Sequence, residues 1–355
     1  MDSDIRYRHV LSALPLPAPI DVLQTLPPTP HTIRAVPEAR EAVRRVLDNR
    51  DRRLIVAAGP CSIHDPDAAM AYADRLAAIS EEVAGSVLLV MRAHFDRPPS
   101  AFGWSGLLVD PHLDGSCRTD EGLLIVRRIM AALAAAGMPV VVGLSEPWSV
   151  SYLADLISWA CFGAVSSESH LFREVAGGLP CPVGFKVSRD GSLESAIHAV
   201  CAAARPGRTF GMTEEGRLAL FATTGNTQGH VILRGGSARQ NGDTAWLARA
   251  GQALDAAGLP RRVVVDCGQG SIGREAGDGQ AELFRDCLAR IEAGQTIIRG
   301  LFLKSNLAGG NQPLPADPEE LRYGVSVTEP CLDWETTAAL VREAAAVQAR
   351  VMACR

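Results

Sequence analysis

From Arg53 onward, short uninterrupted apolar runs alternate with longer stretches of helical periodicity. The runs Leu54–Ala58, Val87–Arg92, Val140–Gly143, Gly163–Ser166, Val183–Lys186, Val231–Leu233, Val263–Asp266 and Ile297–Leu303 predict strands. They do not alternate apolar with polar positions as a strand with one wet face does. They read instead as parallel strands buried on both faces. Between them the spacing predicts helices over Asp67–Glu82, Thr119–Ala136, Ser149–Ala160, Ser192–Ala203, Thr244–Ala256 and Glu275–Glu292. Gly137, Gly258 and Gly294 stand just past helix ends, where a left-handed cap favours glycine. Eight strands with interleaved helices predict a (β/α)8 TIM barrel of the α/β class. An open doubly wound sheet is the competitor, but its GxGxxG turn is missing: the first strand runs into Gly59-Pro60-Cys61-Ser62.

Residues 1–50 differ. Pro15, Pro17, Pro19, Pro27, Pro28 and Pro30 predict an extended, partly rigid arm, followed by a helix from about Pro37 to Asp48. The expected division is an N-terminal extension over 1–50 and a catalytic barrel over 51–355, the extension packing on a partner subunit or covering a barrel end.

Composition narrows the function classes. The chain has 355 residues, 47% hydrophobic and 21% charged, with a formal net charge of -5. That apolar share argues against disorder, and the lack of a basic excess argues against nucleic-acid binding. No window approaches the ~18 apolar residues of a membrane span. Leu11 to Ile20 is broken by prolines, so no secretory h-region is expected. The nine cysteines are odd in number and lack CxxC spacing, which predicts reduced thiols and a cytoplasmic setting.

Barrel chemistry sits where strands end at their C-terminal edge. Those edges collect Cys61, Arg92, His94, Arg97, Ser166, Ser167, Glu168, Lys186, Arg234, Asp266, Cys267, Gln269, Lys304 and Glu329. Arg92, Lys186, Arg234 and Lys304 are cations on four separate strands. Their convergence on one mouth predicts a site for a small anionic substrate bearing carboxylate or phosphate.

Several segments carry a resemblance. Gly59-Pro60-Cys61-Ser62-Ile63-His64-Asp65-Pro66, Gly103-Trp104-Ser105-Gly106-Leu107, Asp110-Pro111-His112, Gly184-Phe185-Lys186, Ile232-Leu233-Arg234-Gly235-Gly236, Gly310-Asn311-Gln312 and Tyr323-Gly324 with Cys331 and Trp334 stand in order. Together they resemble the type I 3-deoxy-D-arabino-heptulosonate 7-phosphate (DAHP) synthases, from about residue 10 to the C-terminus. The resemblance implies a barrel with an N-terminal extension, a homodimer or homotetramer built partly through it, and condensation of phosphoenolpyruvate with erythrose 4-phosphate at the head of the shikimate pathway. It also implies a divalent metal held by Cys, His, Glu and Asp.

The metal motif departs from the family. Cys61 matches, but Gln269 falls on the His, Lys304 on the Glu and Glu329 on the Asp. An ammonium only donates and repels a dication, so no catalytic metal and no cofactor is expected. Among substrate positions Arg92, Lys186 and Arg234 match. Arg97 stands for a Lys, Ser100 for a Thr, Pro99 and Val165 for phosphate-holding arginines, and Gly143 for an acid. The expectation is therefore altered, metal-independent aldol or retro-aldol chemistry on a keto-acid-like carboxylate, with the ancestral activity in doubt. Lys304, Glu329, Cys61 and His94 are the expected catalytic residues. Arg92, Arg97, Lys186, Arg234, Gln269 and Ser100 are the expected binding residues. The ancestral synthase reaction and a non-catalytic regulatory subunit are the other two readings.

Overall fold

The computed structural model describes residues 8–97, 103–235, 244–268, 278–315 and 317–354. Its strands are β1 (Leu54–Gly59), β2 (Val87–Arg92), β3 (Val140–Gly143), β4 (Trp159–Phe162), β5 (Val183–Lys186), β6 (Gly207–Met212), β7 (Leu218–Thr223), β8 (Gly229–Arg234), β9 (Val263–Asp266) and β10 (Ile298–Lys304). All but β6 and β7 pair in parallel and close a barrel in the order β1-β10-β9-β8-β5-β4-β3-β2. The (β/α)8 fold is thus the one the apolar runs predict. Register sets the mouth: Gly59 pairs with Lys304, and Arg234 with Asp266.

The helices are α1 (Pro19–Thr25), α2 (Pro30–Leu47), α3 (Pro66–Val83), α4 (Thr119–Ala135), α5 (Val150–Leu153), α6 (Ala164–Glu168), α7 (His170–Gly178), α8 (Glu194–Ala203), α9 (Thr244–Ala256), α10 (Asp278–Glu292) and α11 (Trp334–Ala353). Capping chemistry sets several starts. Asp65 accepts from the amides of Asp67 and Ala68 ahead of α3, and Asp333 accepts from Thr336 at 2.7 Å ahead of α11. Among the described residues no helix is long and apolar enough to cross a membrane. All nine cysteines are free thiols.

Three expectations need correction. The fourth strand is Trp159–Phe162, not Gly163–Ser166; Gly163 ends the run and Ala164 to Glu168 turn into α6. The helix predicted over Ser149–Ala160 is instead α5 flanked by two 3-10 turns, because its last apolar residues belong to β4. The N-terminal helix starts at Pro30, where Thr29 caps the amide of Thr32 at 3.1 Å, and it carries Pro37 inside. The β6–β7 hairpin was not foreseen.

Two apolar cores result. One lies between strands and outer helices. The other fills the barrel interior with Ile55, Ala57, Leu88, Val90, Val141, Trp159, Cys161, Ile232, Val264 and Phe302, and Val43, Val46 and Leu47 of α2 plug its floor. Trp159 meets Phe302 edge-on with centroids 5.0 Å apart, and its indole N–H donates to His230 Nε2 at 3.2 Å. Arg127 ties the extension down: fully buried, its guanidinium donates to Leu26 O at 2.9 Å, to Tyr152 O at 2.8 Å and to both oxygens of Asp155.

Candidate active site at the barrel mouth

A cavity of about 500 Å³ opens at the C-terminal end of the strands. Cys61, Arg92, His94, Arg97, Lys186, Arg234 and Glu329 line it, as do Asp96, Gly143, Cys161, Val165 and Ser166. Seven of the ten residues expected to bind or react therefore meet in one place. Gln269 and Ser100 lie outside the described residues. Lys304 is not among the lining side chains; it is buried and pairs with Glu329, which is one of them.

Strand ends and short loops position these groups. Arg92 closes β2 and is 4% exposed. Its Nη1 donates to Pro60 O at 2.7 Å, and its Nη2 lies 3.0 Å from His94 Nδ1. Both partners are neutral, and among the described residues no carboxylate pairs with it. Buried charges are normally compensated, so this guanidinium, with no ion-pair partner among the described residues and only the more distant field of Asp266, is open to an anion. Arg234 ends β8 and is partly buried, with Nε donating to Gly235 O at 3.2 Å.

Lys186 differs. Its ammonium meets Asp266 Oδ2 at 2.7 Å, both side chains being buried. Burial pushes the Asp266 carboxyl up, but Lys186, Lys304 and Arg92 outweigh it and hold the pKa down at about 2. Lys186 thus presents a charge already balanced from below.

Lys304, at the end of β10, forms an ion pair with Glu329. Glu329 Oε2 also lies 3.6 Å from Cys61 Sγ, so one carboxylate joins amine and thiol. Burial pulls the Lys304 pKa down to about 8, while Cys61 and Asp266 resist; at neutral pH the group remains an ammonium. Burial raises the Cys61 thiol, but the charges of Arg92 and Lys304 prevail and its pKa falls below the ordinary value.

This donor set does not fit a divalent cation. Of the described residues only a thiol and one carboxylate stand at the expected ligand positions. The carboxylate is engaged by an ammonium seated where a third donor is required. No group of three or more His, Cys, Asp or Glu side chains among the described residues is placed to hold a metal.

His94 was expected among the catalytic residues, either as one of the groups that move a proton or as a plain hydrogen-bonded histidine. The residue is half-buried in the cavity wall, and desolvation together with Arg92, Lys186 and Lys304 pushes its pKa well below the usual value. Since a guanidinium only donates, Nδ1 is the acceptor and Nε2 carries the hydrogen, 3.7 Å from Cys161 Sγ. A neutral acceptor fits this setting better than a proton carrier. Glu168, named from its place after the fourth run, sits on α6 away from this cavity because that strand ends earlier.

Asp96 escaped the sequence reading. Its Oδ2 accepts from the amides of Ser145 at 2.8 Å and Glu146 at 3.1 Å. Burial nevertheless raises its pKa to about 7. Nothing in the residue type signals this, because the burial comes from the loop after β3.

The fold and this mouth define a class: a (β/α)8 barrel whose mouth gathers a thiol, a carboxylate and fixed cations. Residues 32–342 match the DAHP synthetase I family, and the chain belongs to it. It is 43% identical over 308 residues to the Tyr-sensitive phospho-2-dehydro-3-deoxyheptonate aldolase of Escherichia coli strain K12, covering 87% of this chain and 86% of that protein. It is 39% identical over 350 residues to the Phe-sensitive aldolase of the same strain, covering 98% of each. Among solved structures it resembles the phospho-2-dehydro-3-deoxyheptonate aldolase of Francisella tularensis SCHU S4, with TM-score 0.91 and 32% identity over 96% of this chain and 98% of that one. The expectation that the family reaction is doubtful draws no support from these relatives. They favour the condensation that sequence analysis ranked behind the altered chemistry.

Proposed function

We propose that this chain catalyses the family's aldol-type condensation, joining phosphoenolpyruvate to an aldose phosphate of the erythrose 4-phosphate kind, with Lys304 standing in for the dication. The observation that carries the reading is Arg92, a buried guanidinium in the cavity wall whose described partners are all neutral. Arg97 and Arg234 line the same cavity, and the identity to phospho-2-dehydro-3-deoxyheptonate aldolases supports the same chemistry.

As C3 of phosphoenolpyruvate bonds to the aldehyde carbon, water adds at C2 and inorganic phosphate leaves, while the negative charge that builds on the aldehyde oxygen needs fixed positive charge or a proton. The buried ammonium of Lys304 supplies charge next to Glu329, its partner in the cavity lining. Glu329 and Cys61, which line the cavity, are placed to hold or pass the proton. The test is a condensation assay reading heptulosonate and inorganic phosphate, before and after exhaustive chelation. Product formation that survives chelation is expected. A reaction absent throughout, or restored only by a divalent metal, overturns the reading.

A second reading keeps the repurposed chemistry, with Lys304 forming a Schiff base to a 2-oxo acid. Its support is the buried amine with a pKa near 8. Against it, that amine is 3% exposed and already paired with Glu329. Borohydride trapping of pyruvate on Lys304, read by peptide mass spectrometry, separates the two. The reading also carries a homodimer or homotetramer, which light scattering would show.

A further inference from the structure

Gly143 ends β3 in the cavity wall. A Cβ built on it would come within 2.7 Å of His94 Cε1 and 2.8 Å of Nδ1. The imidazole therefore fills the space that any other side chain at 143 would need. Seated there, it offers Nδ1 to Arg92 Nη2 at 3.0 Å, while the carbonyl of Pro60 takes Nη1 at 2.7 Å. The guanidinium is held from two sides by acceptors without charge. A carboxylate near this spot would hold it equally well but cancel its charge.

We propose that His94 and Gly143 act as one unit, a neutral wedge that fixes the guanidinium of Arg92 while leaving its charge for the carboxylate of a small substrate. Both are positioning residues acting through Arg92. The inference deepens the proposed function, on which its ligand-binding arm rests.

The first arm is a double-mutant cycle, with calorimetric titration of phosphoenolpyruvate into the full chain. His94→Ala and Gly143→Ala, the latter by displacing the ring, should each weaken binding about tenfold, as losing a hydrogen bond to a charged group does. The double variant should bind no worse than His94→Ala, because the wedge can be lost only once. Losses that multiply to about a hundredfold would show two independent residues and overturn the proposal. If the unaltered chain does not bind phosphoenolpyruvate, the proposed function fails, and the second arm decides the wedge by itself.

That arm reads the ring nitrogens of His94 by nitrogen-15 NMR. The Nε2–H tautomer, with Nδ1 as acceptor, is expected in the unaltered chain and should be lost in Gly143→Ala. A doubly protonated ring, or a ring indifferent to Gly143→Ala, would overturn the proposal.

Discussion

Replacing Lys304 by Glu inverts a buried charge that pairs with Glu329 of the cavity lining. The ammonium is 3% exposed and pairs with Glu329, which is 44% exposed. At ~4 Å and an effective dielectric of ~20, one pair of unit charges is worth about 4 kcal/mol. The exposure of Glu329 screens this to about 2 kcal/mol. Lys304→Glu turns that attraction into a repulsion of similar size, a swing of about 4 kcal/mol that protonation of one carboxyl can limit. At ~2 °C per kcal/mol in a chain of this size, the variant should melt roughly 8 °C lower in chelator. It would also bring two carboxylates to the Cys61 thiol, the kind of donor set a borderline divalent metal accepts. Mn²⁺ or Zn²⁺ at a hundred times its dissociation constant should then restore about 2.7 kcal/mol. Scanning calorimetry with and without metal, together with metal content after gel filtration, reads the outcome. A stoichiometric metal in the unaltered chain, or melting of the variant that is indifferent to both substitution and metal, would refute the charge assignment.

Asp96 should make stability fall with rising pH. Its pKa is raised to about 7 in the fold against about 3.9 in the unfolded chain. Folding therefore favours the protonated form, whose benefit is complete below pH ~4 and lost as pH rises through ~7, at up to about 1.4 kcal/mol per unit. Asp96→Asn keeps an oxygen for the two amides and should raise the urea midpoint at pH 8 but not at pH 4. Gly122 lies in the first turn of α4, where Ala would ordinarily help by up to ~1 kcal/mol. Its Cβ would meet Leu108 O at 2.3 Å, so Gly122→Ala should lower stability by about 2 kcal/mol or more, measured by the same denaturation.

The barrel was legible because parallel strands covered on both faces leave unbroken apolar runs. Reading failed where two elements share one run. Trp159–Phe162 follows the apolar residues Leu156 and Ile157 of the preceding turns after the single serine Ser158, and only the ladder to β3 and β5 separates them. The β6–β7 hairpin left no signal because most of its side chains are at least partly exposed, so neither period appears. At the site, the cations were legible as residue types at strand ends. That Lys186 is balanced by Asp266, that Glu329 pairs with Lys304, and that Asp96 is sealed by the amides of Ser145 and Glu146 are tertiary facts. Each depends on a contact spanning 25 to 80 residues.

The helix Pro30–Leu47 docks Val43, Val46 and Leu47 among interior residues that include Ile55 of the first strand and Phe302 of the last. During synthesis it emerges ahead of every strand, yet its berth is incomplete until Ile298–Lys304 has followed. The helix must wait, amphipathic and unhoused, for that last strand to finish its seat. Shortening the chain from the front would leave the cylinder without a base, so the portion before residue 50 cannot be trimmed as a detachable tail.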